Sequence, residues 1–177
     1  MTKRPGVVLV PLTRDKTAKV DLCDADLAEF NWGAHAAHAL NEDLWYATRR
    51  NLGKRLMMHR VILERMLGRR LNRGEEVDHI NQDGLDNRRS NLRLANRSGN
   101  TANCRKRLTY KGKLPSSQYK GVHWRADKDR WCSEITVNGK RLRLGYFNSE
   151  IGAARVYDRA ARRCFGEFAK VNFIGEC

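Results

Sequence analysis

The chain lacks the features that would place it outside the cell or in a membrane. Its five cysteines, at positions 23, 104, 132, 164 and 177, are odd in number, scattered and without a C-x-x-C pair. A disulfide framework is therefore not expected, and the thiols read as reduced. No apolar run approaches the roughly 20 residues that cross a bilayer. The apolar stretch in MTKRPGVVLVPLTRDK is short and broken at Pro11, so no secretory signal is expected either. An intracellular, cytoplasmic protein follows. Acidic residues are scarce too: 20 Asp and Glu stand against 35 Lys and Arg, a net charge of +15 over 177 residues. Such an excess draws polyanions by counterion release and long-range steering, with nucleic acid as the favoured partner and an acidic membrane or protein surface as the alternative.

With 41% hydrophobic residues, the chain can bury one ordinary core or two small ones. Residues 1–58 read as a small α/β lobe. VVLVPL and TAKVD flank a polar turn, DADLAEFN begins like a helix, and LWYATRR and KRLMMH look like a hairpin across Asn51 to Lys54. GAHAAHAL would bring His35 and His38 together on a helical turn. HRVILERMLGRRL carries Val61, Ile62, Met66 and Leu67 at helical spacing and ends at Gly68. A helix is expected near Asn96 to Arg107, and the Gly, Pro and Ser of TYKGKLPSSQ suggest a linker at 109–116.

The segment EVDHINQDGLDNRRSNLRLANRSGN, residues 76–100, concentrates the chemistry. Asp78-His79 stands twelve residues before Asn91 and twenty-one before Asn100. Asp78 and Asn100 can offer oxygen to one hard divalent cation, and His79 can take a proton from water. The segment resembles the HNH nuclease motif, and SNLRL at 90–94 continues the family pattern. The resemblance implies a ββα-metal motif over 59–108 in which His79 is the general base and Asn91 orients its ring. It further implies that Asp78 and Asn100 hold the metal, with Asn103 the second choice as ligand. Arg93 could neutralise a phosphate oxygen or be an exposed strand arginine. The family's last position is often histidine; Asn100 there moves the preference to Mg²⁺ or Mn²⁺. The paired cysteines that hold a structural zinc in some relatives are missing, so none is expected. His59 reads as a structural histidine at a helix start.

Residues 117–177 have their own logic. Three short strands are separated by Ala126–Asp129 and by Asn138-Gly139, a favoured two-residue hairpin turn, and a helix capped by Ser149 runs to Phe165. Strand alternation puts Val122, Trp131, Ile135, Val137, Leu142 and Leu144 on one face. The other face takes His123, Arg125, Arg130, Glu134, Thr136, Arg141 and Arg143. YKGV at 119–122, LGYF at 144–147, AARVYDRAA at 153–161 and the closing FGEFA with Asn172-Phe173 resemble the Apetala2-type DNA-binding domain. That resemblance implies a sheet in the major groove, with Arg125, Arg141 and Arg143 the leading contacts and His123, Arg130 and Glu134 beside them. Plant domains carry a tryptophan where Arg143 stands, which separates this chain from the plant target sequence.

The combined expectation is an α+β protein. An amino-terminal lobe precedes an HNH motif and a three-stranded antiparallel sheet packed on one helix. Its function would be that of a phage or mobile-element homing endonuclease acting on double-stranded DNA, with a monomer favoured and no membrane partner. The rival is a non-catalytic DNA-binding regulator with an inactive HNH fold.

Overall fold

The computed structural model describes residues 6–38, 41–104, 106 and 114–175. It is a mixed helix and sheet protein whose described strands form four small antiparallel sheets. Two compact units divide the chain, Met1–Asn96 and Arg97–Cys177.

In the first unit β1 (Val7–Pro11) and β2 (Thr17–Asp21) form the expected hairpin. Next comes a 3-10 helix, Leu22–Glu29, where the sequence suggested an ordinary helix start. Asp24 explains the difference. It leaves helical geometry, at φ −115° and ψ 17°, and its buried carboxylate receives Arg65 and Arg89 instead of capping a helix. β3 (Gly33–His38), β4 (Asn41–Asn51) and β5 (Lys54–Met57) make a second sheet in that order. The helical turn expected in GAHAAHAL is thus a strand, in which His35 lies opposite Tyr46 and no turn draws residues three apart together. Its alanines fit a sheet face packed closely on the core, where Ala34 and Ala47 are buried. Leu52 and Gly53 both take positive φ, as a tight two-residue hairpin demands.

α1 (Met58–Leu67) ends on left-handed Gly68, as its sequence indicated. Its inward side is Met58, Ile62 and Leu63, while Met66 and Leu67 remain largely exposed. β6 (Glu75–His79) and β7 (Leu92–Asn96) complete the unit. One core joins Val10, Ala18, Val20, Leu27, Trp32, Ala47, Met58, Ile62 and Leu92. It therefore runs continuously from the first strand to the β6-β7 hairpin.

The second unit opens with α2 (Arg97–Asn103), which starts where the sequence placed a helix. Arg107 and residues 109–113, the tail of that expected helix and most of the linker, lie outside the described residues. β8 (Val122–Arg125), β9 (Arg130–Val137) and β10 (Lys140–Phe147) form the predicted sheet with β9 central. It packs on α3 (Glu150–Phe165), whose cap Ser149 accepts a hydrogen bond from the Gly152 amide. Val122, Ile135, Ala153, Ala154, Tyr157 and Ala161 are buried between them. Leu142 departs from the expected core at 49% exposure because β10 is an edge strand. Gly121 is required: a Cβ there would sit 2.0 Å from the Tyr157 ring, and its φ is +75°. No helix among the described residues is long and apolar enough to cross a membrane.

Candidate active site and nucleic-acid interface

In the first unit, Asp78 and His79 end β6 and pair across the hairpin with Arg93 and Leu92. All of the chemistry-bearing polar groups here except Arg93 are nearly buried, and each is held. The Arg93 guanidinium donates to Asp78 Oδ2 from Nε at 2.8 Å and lies 2.7 Å away through Nη2. Residues 80–91 form a loop that stabilises itself through its own side chains. Asn91 Nδ2 donates to Asn81 Oδ1 at 2.9 Å and to the Asp86 carbonyl at 2.7 Å, while its Oδ1 accepts from the Asn81 amide. Asp86 holds Arg88 through two bonds of 2.7 and 2.6 Å.

This loop is clamped to the rest of the unit. Its backbone bonds β2 twice, Lys19 N to the Leu85 carbonyl and Asn87 N to the Lys19 carbonyl, both 2.8 Å. Gly84 presses on β4 so closely that a Cβ would lie 2.4 Å from the Trp45 carbonyl oxygen. Arg89 reaches the fully buried Asp24, which also takes Arg65. Burial alone would raise the Asp24 carboxyl, but Arg89 and Arg65 outweigh it and hold it below the ordinary range. The amino-terminal segment thus braces the loop that follows His79.

The His79 ring is positioned by Asn87, whose Oδ1 lies 3.2 Å from His79 Nε2. Asn87 is fully buried, and its Nδ2 donates to the Leu85 carbonyl and to the Met58 sulfur. Those two bonds fix which end of the amide faces the ring. Nε2 is therefore the protonated nitrogen and Nδ1 the basic one. Around the ring, His59 lies 5.1 Å away edge-on and Tyr46 5.9 Å away. Burial lowers the His79 pKa, against the opposing pull of Asn87 and Asp78. It also pushes His59 down to about 3, with His79 a lesser contributor. Burial therefore favours the neutral form of both rings.

In the second unit, α2 carries half-buried Asn100 and buried Asn103 one turn apart. Lys120 Nζ donates to the carbonyls of Ala102 and Cys104, which anchors the end of this helix, and burial pulls that lysine down to about 8. Asp158 on α3 collects the amides of Asn172 and Phe173, and Asn172 in turn accepts from the Lys120 amide. The sheet's outer face follows from register. His123 stands opposite Cys132, Arg125 opposite Arg130, Arg141 opposite Thr136 and Arg143 opposite Glu134. A bulge at Leu144 then brings Tyr146 onto the same face, opposite Cys132. Arg141 and Arg143 lie 3.7 and 3.5 Å from Glu134, at 76% and 52% side-chain exposure, and Arg125 pairs with Asp127.

Residues 56–102 match the HNH endonuclease family model. An uncharacterised HNH endonuclease of Acanthamoeba polyphaga mimivirus is 32% identical over 129 residues, 73% of this chain and 63% of that protein. An AP2-like ethylene-responsive transcription factor of Arabidopsis thaliana is 46% identical over 59 residues, 33% of this chain and 12% of its own. An AP2/ERF and B3 domain-containing transcription repressor of the same plant is 48% identical over 61 residues, 34% of this chain and 17% of its own. The chain joins an HNH endonuclease domain to an AP2-type DNA-binding domain. It spans under two thirds of the length of each of these relatives.

Within the HNH domain, Asp78, His79, Asn91 and Arg93 gather around the β6-β7 hairpin. Asn91 acts through the chain rather than through a side-chain bond to the ring, since its carbonyl accepts from the amide of Ile80, the residue after His79. The ring's own side-chain partner is Asn87, which sequence reasoning missed: a buried loop asparagine has no periodicity to reveal it. Arg93 is neither an exposed strand arginine nor turned to solvent, for its side chain is 13% exposed and grips Asp78. In the AP2-type domain His123, Arg125, Arg130, Glu134, Arg141 and Arg143 share the outer face, joined there by Cys132 and Tyr146.

Proposed function

We propose that the chain is a metal-dependent DNA endonuclease of the homing type, hydrolysing phosphodiester bonds in double-stranded DNA and nicking one strand at a recognised site. The observation that carries this reading is the His79 ring, aimed by buried Asn87 and adjoining the buried carboxylate of Asp78, inside the segment that matches the HNH family.

The donor chemistry fits a hard cation. Asp78 is an oxygen donor whose charge Arg93 pairs, and the HNH resemblance assigns Asn100, with Asn103 the alternative, as the amide-oxygen donor to the same cation. Such donors suit Mg²⁺ or Mn²⁺, which when bound would stabilise the pentacovalent phosphorane and the departing 3′ oxygen. The protein's own residues do the rest. His79 Nδ1 takes the proton of the attacking water, and Asn87 holds the resulting imidazolium by accepting from Nε2. Asn91 keeps the strand end and loop in register. Arg93, which grips Asp78 here, would become available to a non-bridging phosphate oxygen if Asp78 held a cation. The outer face of the AP2-type sheet supplies recognition, with Arg125, Arg141 and Arg143 the principal DNA contacts.

Supercoiled plasmid incubated with and without Mg²⁺ tests the reading. One His79 centre per chain should convert it to relaxed circles, with nothing in excess chelator. Prompt linear product with two chains per DNA would instead establish a dimeric double-strand cutter. Site-specific footprints with no cleavage in any divalent metal would establish the non-catalytic regulator.

A further inference from the structure

The AP2-type sheet holds a second group of metal-ligating side chains, remote in chemistry from the oxygen donors of the HNH motif. His123 on β8 is the direct cross-strand partner of Cys132 on β9, and Glu134 follows two residues along β9 on the same face. The imidazole nitrogen, the thiol sulfur and a carboxylate oxygen all lie within 4.8 Å of one another. The Cys132 thiol, fully buried, already donates toward Glu134 Oε1 at 3.7 Å. No other cluster of this kind occurs among the described residues.

We propose that His123, Cys132 and Glu134 form a binding site for a borderline-soft divalent cation, Zn²⁺ by preference, on the outer face of the β8-β9-β10 sheet. One sulfur, one nitrogen and one oxygen make a donor set that zinc accepts with a fourth position left to water, and that Mg²⁺ and Ca²⁺ do not favour. As the metal–sulfur bond forms, the Cys132 proton leaves to solvent, so thiolate and carboxylate together balance the dication. The neighbouring cations are accounted for: Arg125 is held by Asp127, and Arg141 and Arg143 lean on Glu134. Ligation of Glu134 therefore frees Arg141 and Arg143. The expectation of no structural zinc rested on missing cysteine pairs, whereas this group is assembled by cross-strand pairing and has no recognisable spacing.

Cobalt(II) is the probe, because a thiolate ligand gives it a near-ultraviolet charge-transfer band that oxygen donors cannot. The HNH donors are thus silent in this measurement, and the outcome is independent of whether the chain cuts DNA. Full-length protein with Cys23, Cys104, Cys164 and Cys177 changed to serine, stripped of metal, should develop the band with saturation at one Co²⁺ per chain, and Zn²⁺ should displace it. Cys132→Ser should abolish the band. His123→Gln, at a half-exposed position that tolerates change, should weaken Co²⁺ binding by at least about tenfold. Folded protein, checked by circular dichroism, that shows no band up to about millimolar Co²⁺ overturns the proposal. So does a band that survives Cys132→Ser, or an affinity unaltered by His123→Gln.

Discussion

The rings of His59 and His79 stand perpendicular, their centroids 5.1 Å apart, and Tyr46 packs on both. Two imidazoles this close cannot both be charged without mutual repulsion, and burial discourages either from charging. Burial against His59 and Tyr46, not charge on either neighbour, is what favours the neutral form of the His79 base.

The first consequence is an extended acid limb. Since burial lowers the His79 pKa, cleavage should persist below the ordinary histidine value of 6.5, where a solvated imidazole would be protonated and inactive. A cation beside Asp78 would push in the same direction. Single-turnover rates between pH 5 and 8, at saturating metal, check this; a midpoint at or above 6.5 would contradict the neutral-base geometry.

Removal of the base should be costly in rate and not in binding. His79→Ala should lower cleavage by roughly 10²- to 10⁴-fold with DNA affinity nearly unchanged. Asn87→Ala should lower it by up to about 10²-fold through ring misplacement. Because Asn87 is fully buried, that variant should also lose about 1–3 kcal/mol of stability. Wild-type cleavage by folded His79→Ala would sink the assignment of the base.

His59 makes the fold acid-sensitive. Its pKa falls from 6.5 unfolded to about 3 folded, so the unfolded chain binds the extra proton between those values. The stability associated with neutral His59 is present above 6.5 and lost as pH falls toward 3, at about 1.4 kcal/mol per unit. Urea midpoints at pH 7 and 5 should differ more for wild type than for His59→Gln. Equal shifts in the two proteins would show that His59 titrates normally.

Asp24 is a buried ionic hub, and a neutral replacement takes the carboxylate from Arg89 while leaving Arg65 with Asp26 alone. Asp24→Asn should cost about 1–3 kcal/mol and, because Arg89 adjoins the loop after His79, should reduce cleavage before the fold is lost. Thermal melts alongside single-turnover rates measure both; a variant as stable as wild type would show the ion pairs to be dispensable.

Recognition should separate from chemistry. Arg141→Glu with Arg143→Glu should weaken specific binding and flatten the salt dependence by roughly one unit of slope per lost phosphate contact, with the HNH centre intact. Binding isotherms across a salt series give the answer, and an unaltered footprint would place recognition elsewhere.

Local patterns determined much of this protein without help. The 3.6-residue period of α1 and its Gly68 stop, the Asn138-Gly139 hairpin, the Ser149 cap and the alternation that gathers the arginines are nearest-neighbour effects, legible because each depends on residues a few positions apart. The adjacency of Asp78 and His79 was legible for the same reason. Tertiary structure alone decided what depends on burial and distant partners. Asp24 abandoned a helix start to bind arginines 41 and 65 residues away, and GAHAAH became a strand because β4 was there to pair it. Asn87 became the partner of His79 only when the loop folded under Met58, and Cys132 met His123 only across a hairpin. Hydrogen bonds and ion pairs formed away from water gain their strength from desolvation, and desolvation is a property of the assembled core rather than of any window of sequence.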